Sequence, residues 1–97
     1  MLWRKRTLAI VKNKDIQWKL IEQRAVLLHI DSGVVLQLDA VATALWNALD
    51  GRRNFFDLVT FLTENFEVER KQAARDTRDF LRKLLKEEAI CYAGKDG

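Results

Sequence analysis

The hydrophobic pattern changes period once along this chain, and that change constrains the fold more than any single motif. Between residues 16 and 39 apolar and polar residues alternate with period two, as strands with one buried face require. From Asp39 to about residue 87 the apolar positions recur every three or four residues, as amphipathic helices require. No proline interrupts either half. Strands followed by helices predict an α+β domain, and 97 residues, 48% of them hydrophobic, supply one core and no second.

Within the first half, Ile16-Gln17-Trp18-Lys19-Leu20 alternates and Glu22-Gln23-Arg24 is a polar break. Ala25 to Ile30 is rich in β-formers and apolar on both sides, the pattern of a central strand flanked at both edges. Asp31-Ser32-Gly33 reads as a turn in which Gly33 takes a positive φ. Val34 to Asp39 then alternates again, with Leu36 and Leu38 on one face and Val35 and Gln37 on the other. The expectation is a three-stranded antiparallel meander over about residues 16–39.

In the second half, Asp39 is placed to cap a first helix whose stripe is Val41, Leu45, Trp46 and Leu49, with Gly51 at its C′ position. Asn54 opens a second helix, with Asp57 in a capping-box position and Phe55, Leu58, Val59, Leu62 and Phe66 facing inward. A third helix over roughly residues 70–87 buries Ala73, Ala74, Thr77, Phe80, Leu81, Leu84 and Leu85. Ala89 to Ala93 closes as a short strand or an ordered tail. Trp18 and Trp46 are assigned to the core, His29 to the sheet, and Cys91 to a small packed position.

The net charge of +3 divides unevenly. Arg4, Lys5, Arg6, Lys12 and Lys14 precede the first acid, Asp15, so residues 1–14 read as a basic arm and 15–93 as a slightly acidic domain. A single cysteine and a single histidine cannot form a disulfide or a zinc set, so no metal, catalytic residue or cofactor is assigned. The apolar patch Thr7 to Val11 is shorter than a signal h-region of about 7–15 residues, and no window reaches the roughly 18 apolar residues of a membrane span. The expected setting is the cytoplasm, with no membrane partner.

The third helix carries Lys71, Arg75, Arg78, Arg82 and Lys86, which at about 100° per residue fall on one side of the cylinder. An ordinary solvated face, supported by pairs such as Asp79 with Arg75 or Arg82, accounts for such a stripe equally well. A functional reading comes from the strand beside it. The last strand of a meander leaves a row of unpaired N–H and C=O groups, to which an extended peptide can add as a further strand, and the basic stripe then favours an acidic peptide. Two other readings stay open: a DNA-binding winged helix, disfavoured by Glu67, Glu69, Asp76 and Asp79 around the start of the third helix, and a homodimer paired through the same strand edge.

Leu36-Gln37-Leu38-Asp39, Ala42-Thr43-Ala44-Leu45-Trp46, Leu49-Asp50-Gly51, Leu62 with Phe66, and Ala74-Arg75-Asp76-Thr77 followed by Phe80, Leu81 and Leu84 together resemble the PqqD family over about residues 16–92. These are small proteins of pyrroloquinoline quinone biosynthesis and, more broadly, precursor-peptide recognition elements of ribosomal peptide modification pathways. The family's usual Leu-Asn before the first helix stands here as Leu38-Asp39, and Thr77 replaces an apolar residue. The resemblance implies a winged helix-turn-helix-like fold, a three-stranded antiparallel sheet followed by three helices, with no catalysis of its own. It further implies that a precursor leader peptide adds as a strand between Val34, Val35, Leu36, Gln37 and Leu38 on one side and Arg75, Arg78 and Arg82 on the other. The peptide is then presented to a modifying enzyme such as a radical SAM protein, in quinone cofactor synthesis or another peptide-modifying pathway.

Overall fold

In the computed structural model, which describes residues 6–93, the chain runs β1 (Ile10–Lys12), β2 (Ile16–Ile21), β3 (Arg24–His29), β4 (Val35–Gln37), α1 (Ala40–Ala48), α2 (Phe55–Asn65), α3 (Arg70–Lys86) and β5 (Ile90–Tyr92). The meander is present as an antiparallel sheet in the order β2-β3-β4, and three helices follow it. The α+β class expected from the change of period is therefore observed. Among the described residues no helix is long and apolar enough to cross a membrane.

Two residues connect β2 to β3, and both have left-handed backbone: Glu22 at φ 51° and Gln23 at φ 69°. Ile21 pairs directly with Arg24 across them. A two-residue loop with both φ values positive is the type I′ geometry whose twist matches a hairpin, here built from residues that pay a steric penalty for it. Gly33, in the β3–β4 connection, has the expected positive φ of 76°. β3 turns Ala25, Leu27 and His29 inward, and these are buried, whereas Leu28 faces the other side and is exposed.

A second, two-stranded sheet pairs β1 with β5 in the register Ile10 with Tyr92, Val11 with Cys91 and Lys12 with Ile90. Residues 10–12 fall within the basic arm of the sequence reading, yet Ile10 is 1% exposed and its N–H donates to the Arg53 carbonyl at 2.9 Å. Burial of Ile10 and Ile90 from opposite ends of the chain draws these segments together. Asn13 reinforces the junction by donating from Nδ2 to the Glu88 carbonyl at 2.7 Å. Trp3, Arg4 and Lys5 lie outside the described residues.

The first two helices begin where their capping residues stand. The Ala42 N–H donates to Asp39 Oδ1 at 2.8 Å to open α1. At α2, the Asp57 N–H donates to Asn54 Oδ1 and the Asn54 N–H to Asp57 Oδ2, both at 2.9 Å, completing a reciprocal capping box. Gly51 keeps its positive φ of 83° but lies two residues past the Leu49 C-cap, one position beyond the expected C′. α3 has no side-chain cap; its hold comes from burial of Ala73, Thr77, Phe80, Leu81 and Leu84.

Trp46 is fully buried and meets Trp18 edge-to-face, with centroids 5.8 Å apart. Lys12 sits over both indoles, its Nζ 4.6 Å from the Trp18 ring and 4.8 Å from that of Trp46. Burial pushes the Lys12 ammonium below its ordinary range, while attraction to two ring faces opposes that loss of hydration. Trp18 itself is 40% exposed rather than core. Along β2 the inward row rises in exposure from Ile16 to Trp18 to Leu20, although their β3 partners Leu27 and Ala25 are fully buried, because β2 is the edge strand and the helices cover β3. Cys91 is also exposed rather than packed, since β5 alternates and turns Ile90 inward instead.

One buried hydroxyl joins the two layers. The Ala25 N–H donates to Thr43 Oγ1 at 2.9 Å, and that hydroxyl donates to the Leu38 carbonyl at 3.4 Å. Thr43→Val leaves the Ala25 amide buried without an acceptor, a loss of about 1–3 kcal/mol, read as a lower midpoint in urea with an unchanged slope. Replacing Glu22 by Asn and Gln23 by Gly relieves the left-handed strain, and thermal unfolding is expected to show a gain of about 1 kcal/mol.

Candidate functional site

Backbone direction in β4 determines which groups of the sheet remain available. The Leu38 N–H donates to the Ala25 carbonyl and the His29 N–H donates to the Val34 carbonyl, each at 2.9 Å. In an antiparallel ladder successive residues point their main-chain groups to opposite sides. Val34, Leu36 and Leu38 therefore face β3, and the N–H and C=O groups of Val35 and Gln37 face outward along the free edge. Because β4 is the last strand of its sheet, no neighbouring strand among the described residues takes up that edge.

A groove of about 350 Å³ lies beside this edge, bounded by α1 and α3. Its floor is apolar: Leu38, Val41, Leu45, Phe80 and Leu84 line it, and all but Val41 are buried. Its rim is polar, formed by the exposed Gln37, Asp39, Asp79 and Lys83 and the half-buried Asp76. Only Leu38 and Asp39 intervene between β4 and α1. Asp39 is held by its capping bond, and Thr43 ties the carbonyl of Leu38 to the sheet, so the local sequence fixes this wall of the groove.

Of the residues the sequence assigns to peptide binding, Gln37 and Leu38 line the groove. Val35 contributes its edge groups while its side chain, 57% exposed, lies on the outer face of the sheet opposite Leu28. Leu36 packs against the core, and Val34 is half-buried at the strand entry. Arg75, Arg78 and Arg82 are not among the lining residues. The α3 residues that are, Asp76, Asp79, Phe80, Lys83 and Leu84, centre about 135° around the helix from the arginine stripe, at about 100° per residue. Burial of Phe80, Leu81 and Leu84 sets that rotation, leaving Arg75 and Arg82 exposed on the outer surface and Arg78 half-buried.

The sequence reading missed Asp76, Asp79 and Lys83 as groove residues. Positions 76, 79, 80, 83 and 84 form an i, i+3, i+4, i+7, i+8 set, so the signal was a mixed charged and apolar stripe flanking the buried one. Asp76 is oriented by Gln72, which donates from Nε2 to its Oδ1 at 2.9 Å, and Arg75 Nη1 donates to Gln72 Oε1 at 3.4 Å. His29 lies on the inner side of the sheet, 7% exposed, away from the free edge of β4.

This arrangement, an open strand edge with an apolar channel and a charged rim beside it, is chemically suited to receiving an extended peptide. The family of coenzyme PQQ synthesis protein D (PqqD) matches residues 24–90. No curated protein matches the chain. Among solved structures, TbiB1 in complex with the TbiA(beta) leader peptide is 29% identical, with a TM-score of 0.76 over 90% of this chain and 99% of that one. A lasso peptide synthetase B1 complexed with its leader peptide is 30% identical, with a TM-score of 0.71 over 84% of this chain and 94% of that one. The family match spans more than half of the chain and both structural relatives cover most of it, and the chain belongs to the PqqD family.

Proposed function

We propose that this protein is a peptide-binding adaptor with no chemistry of its own, which captures the leader segment of a ribosomally synthesised precursor and presents it to a modifying enzyme in the cytoplasm. The observation that carries this reading is the free edge of β4, where Val35 and Gln37 offer unpaired main-chain donors and acceptors beside an apolar groove. An added strand satisfies those groups whatever its sequence, and the groove reads the side chains on the strand's inner face. Both structural relatives are complexes with leader peptides, which supports the same class of ligand here. The second is a lasso peptide synthetase B1, which favours a peptide-modifying pathway, with the modifying enzyme as the second partner. Arg75 and Arg82 stay on the outer surface in this arrangement, free to meet the remainder of the precursor or the enzyme, and Arg78 is half-buried between them.

The test is a titration with the synthetic leader of the short precursor encoded beside this protein. Amide signals of Val34 to Leu38 and of α3 residues 76–84 are expected to shift, whereas shifts confined to residues 1–14 would contradict the proposal. Val35→Pro removes one outward N–H and puts a ring in the path of the incoming strand, without touching the bonds to β3. It is expected to weaken leader binding at least about tenfold, or roughly 1.4 kcal/mol. Val35→Ala, which keeps the N–H and trims a side chain turned away from the groove, should stay within about threefold.

A further inference from the structure

We propose that the groove selects a leader carrying a lysine or arginine two positions from an apolar residue, with both side chains on the face turned to α3. This inference rests on the strand-addition reading above and adds the chemistry of the ligand to it. Four charged side chains line the groove: Asp39, Asp76 and Asp79 are acidic and Lys83 alone is basic. Among the described residues the one ion pair is Arg53 with Asp50, at 3.8 Å, so neither Lys83 nor the arginines of α3 neutralise these carboxylates by direct contact. Asp39 accepts from the Ala42 N–H and Asp76 from Gln72, both bonds to uncharged donors that leave the negative charge in place. An acidic strand would enter against like charge, and a cationic one would be drawn in.

Spacing along the helix gives the positions. Asp76 and Asp79 occupy the earlier part of the groove wall on α3, and Phe80 and Leu84 the later part. At about 1.5 Å per residue the midpoints of these pairs are roughly 7 Å apart. Residues i and i+2 of a β-strand lie on one face, separated by about 6.6–6.8 Å. One strand lying along α3 therefore sets a cation between the two aspartates and an apolar side chain over Phe80 and Leu84 when these two residues are separated by a single outward-facing residue. The charge sign is the reverse of what the arginine stripe suggests, because the rotation of α3 turns its aspartates, not its arginines, to the free edge.

Isothermal titration of the full chain with the same synthetic leader separates this inference from the reading it rests on. In the expected result the leader contains such a pair, Asp76→Asn with Asp79→Asn weakens it about tenfold, and Arg75→Glu with Arg82→Glu changes affinity less than about twofold. Both double variants are at exposed or half-buried helix positions and keep the α3 core, and circular dichroism verifies that they fold. Replacing the leader's cation by Gln should reproduce the loss of the double Asn variant and abolish the difference between the two proteins. A leader that binds at the β4 edge but lacks lysine and arginine, or binds the double Asn variant as tightly as the native chain, overturns the charge assignment and leaves strand addition standing. No binding to the native chain overturns both.

Discussion

The antiparallel ladder between β3 and β4 divides the main-chain groups of β4 into two sets, and the recognition surface depends on that division. Bonds from Leu38 to Ala25 and from His29 to Val34 fix the register, so Val35 and Gln37 must turn their N–H and C=O groups away from β3. The Thr43 hydroxyl holds the end of this ladder to α1 by bonding both the Ala25 amide and the Leu38 carbonyl. Packing of Phe80, Leu81 and Leu84 then sets α3 beside the free edge without covering it. An edge left open in this way is ordinarily an aggregation hazard; here a helix flanks it and the strand is short, Val35 to Gln37.

The sheet has a second free edge on β2, and the contrast between the two edges explains why one is suited to a ligand. On β2, Trp18, Leu20 and Ile21 are all exposed, and no β2 residue lines the groove. At β4 the same backbone chemistry adjoins a floor of buried leucines and Phe80. Main-chain bonding is common to both edges and carries no sequence information; the groove and its rim are what can discriminate among peptides.

Much of the fold was legible in the sequence because its signals are local. Alternation from Ile16 to Leu20 marks β2, the β-rich apolar run from Ala25 marks β3, and the Asn54 and Asp57 pair marks the start of α2 with both reciprocal bonds. The pairing of β1 with β5 was not legible, since it joins Ile10 to Tyr92 across nearly the whole chain and rests on three residues a side. Exposure of Trp18 likewise follows from its place on an edge strand beside the covered β3, which no local pattern records. The candidate site was half legible. The free edge follows from strand order, but the apolar stripe of α3 is flanked by arginines on one side and by Asp76, Asp79 and Lys83 on the other. Which flank meets β4 is decided by tertiary packing rather than by spacing.

Amide hydrogen exchange at single-residue resolution, with and without saturating leader peptide, tests the central claim most directly. In the free protein the amides of Leu36 and Leu38 are bonded to β3 and should exchange slowly, whereas those of Val35 and Gln37 face solvent and should exchange fast. Leader binding is predicted to slow Val35 and Gln37 selectively, as their N–H groups find acceptors on the added strand. Leader binding that leaves Val35 and Gln37 exchanging at their free rates would contradict strand addition at β4.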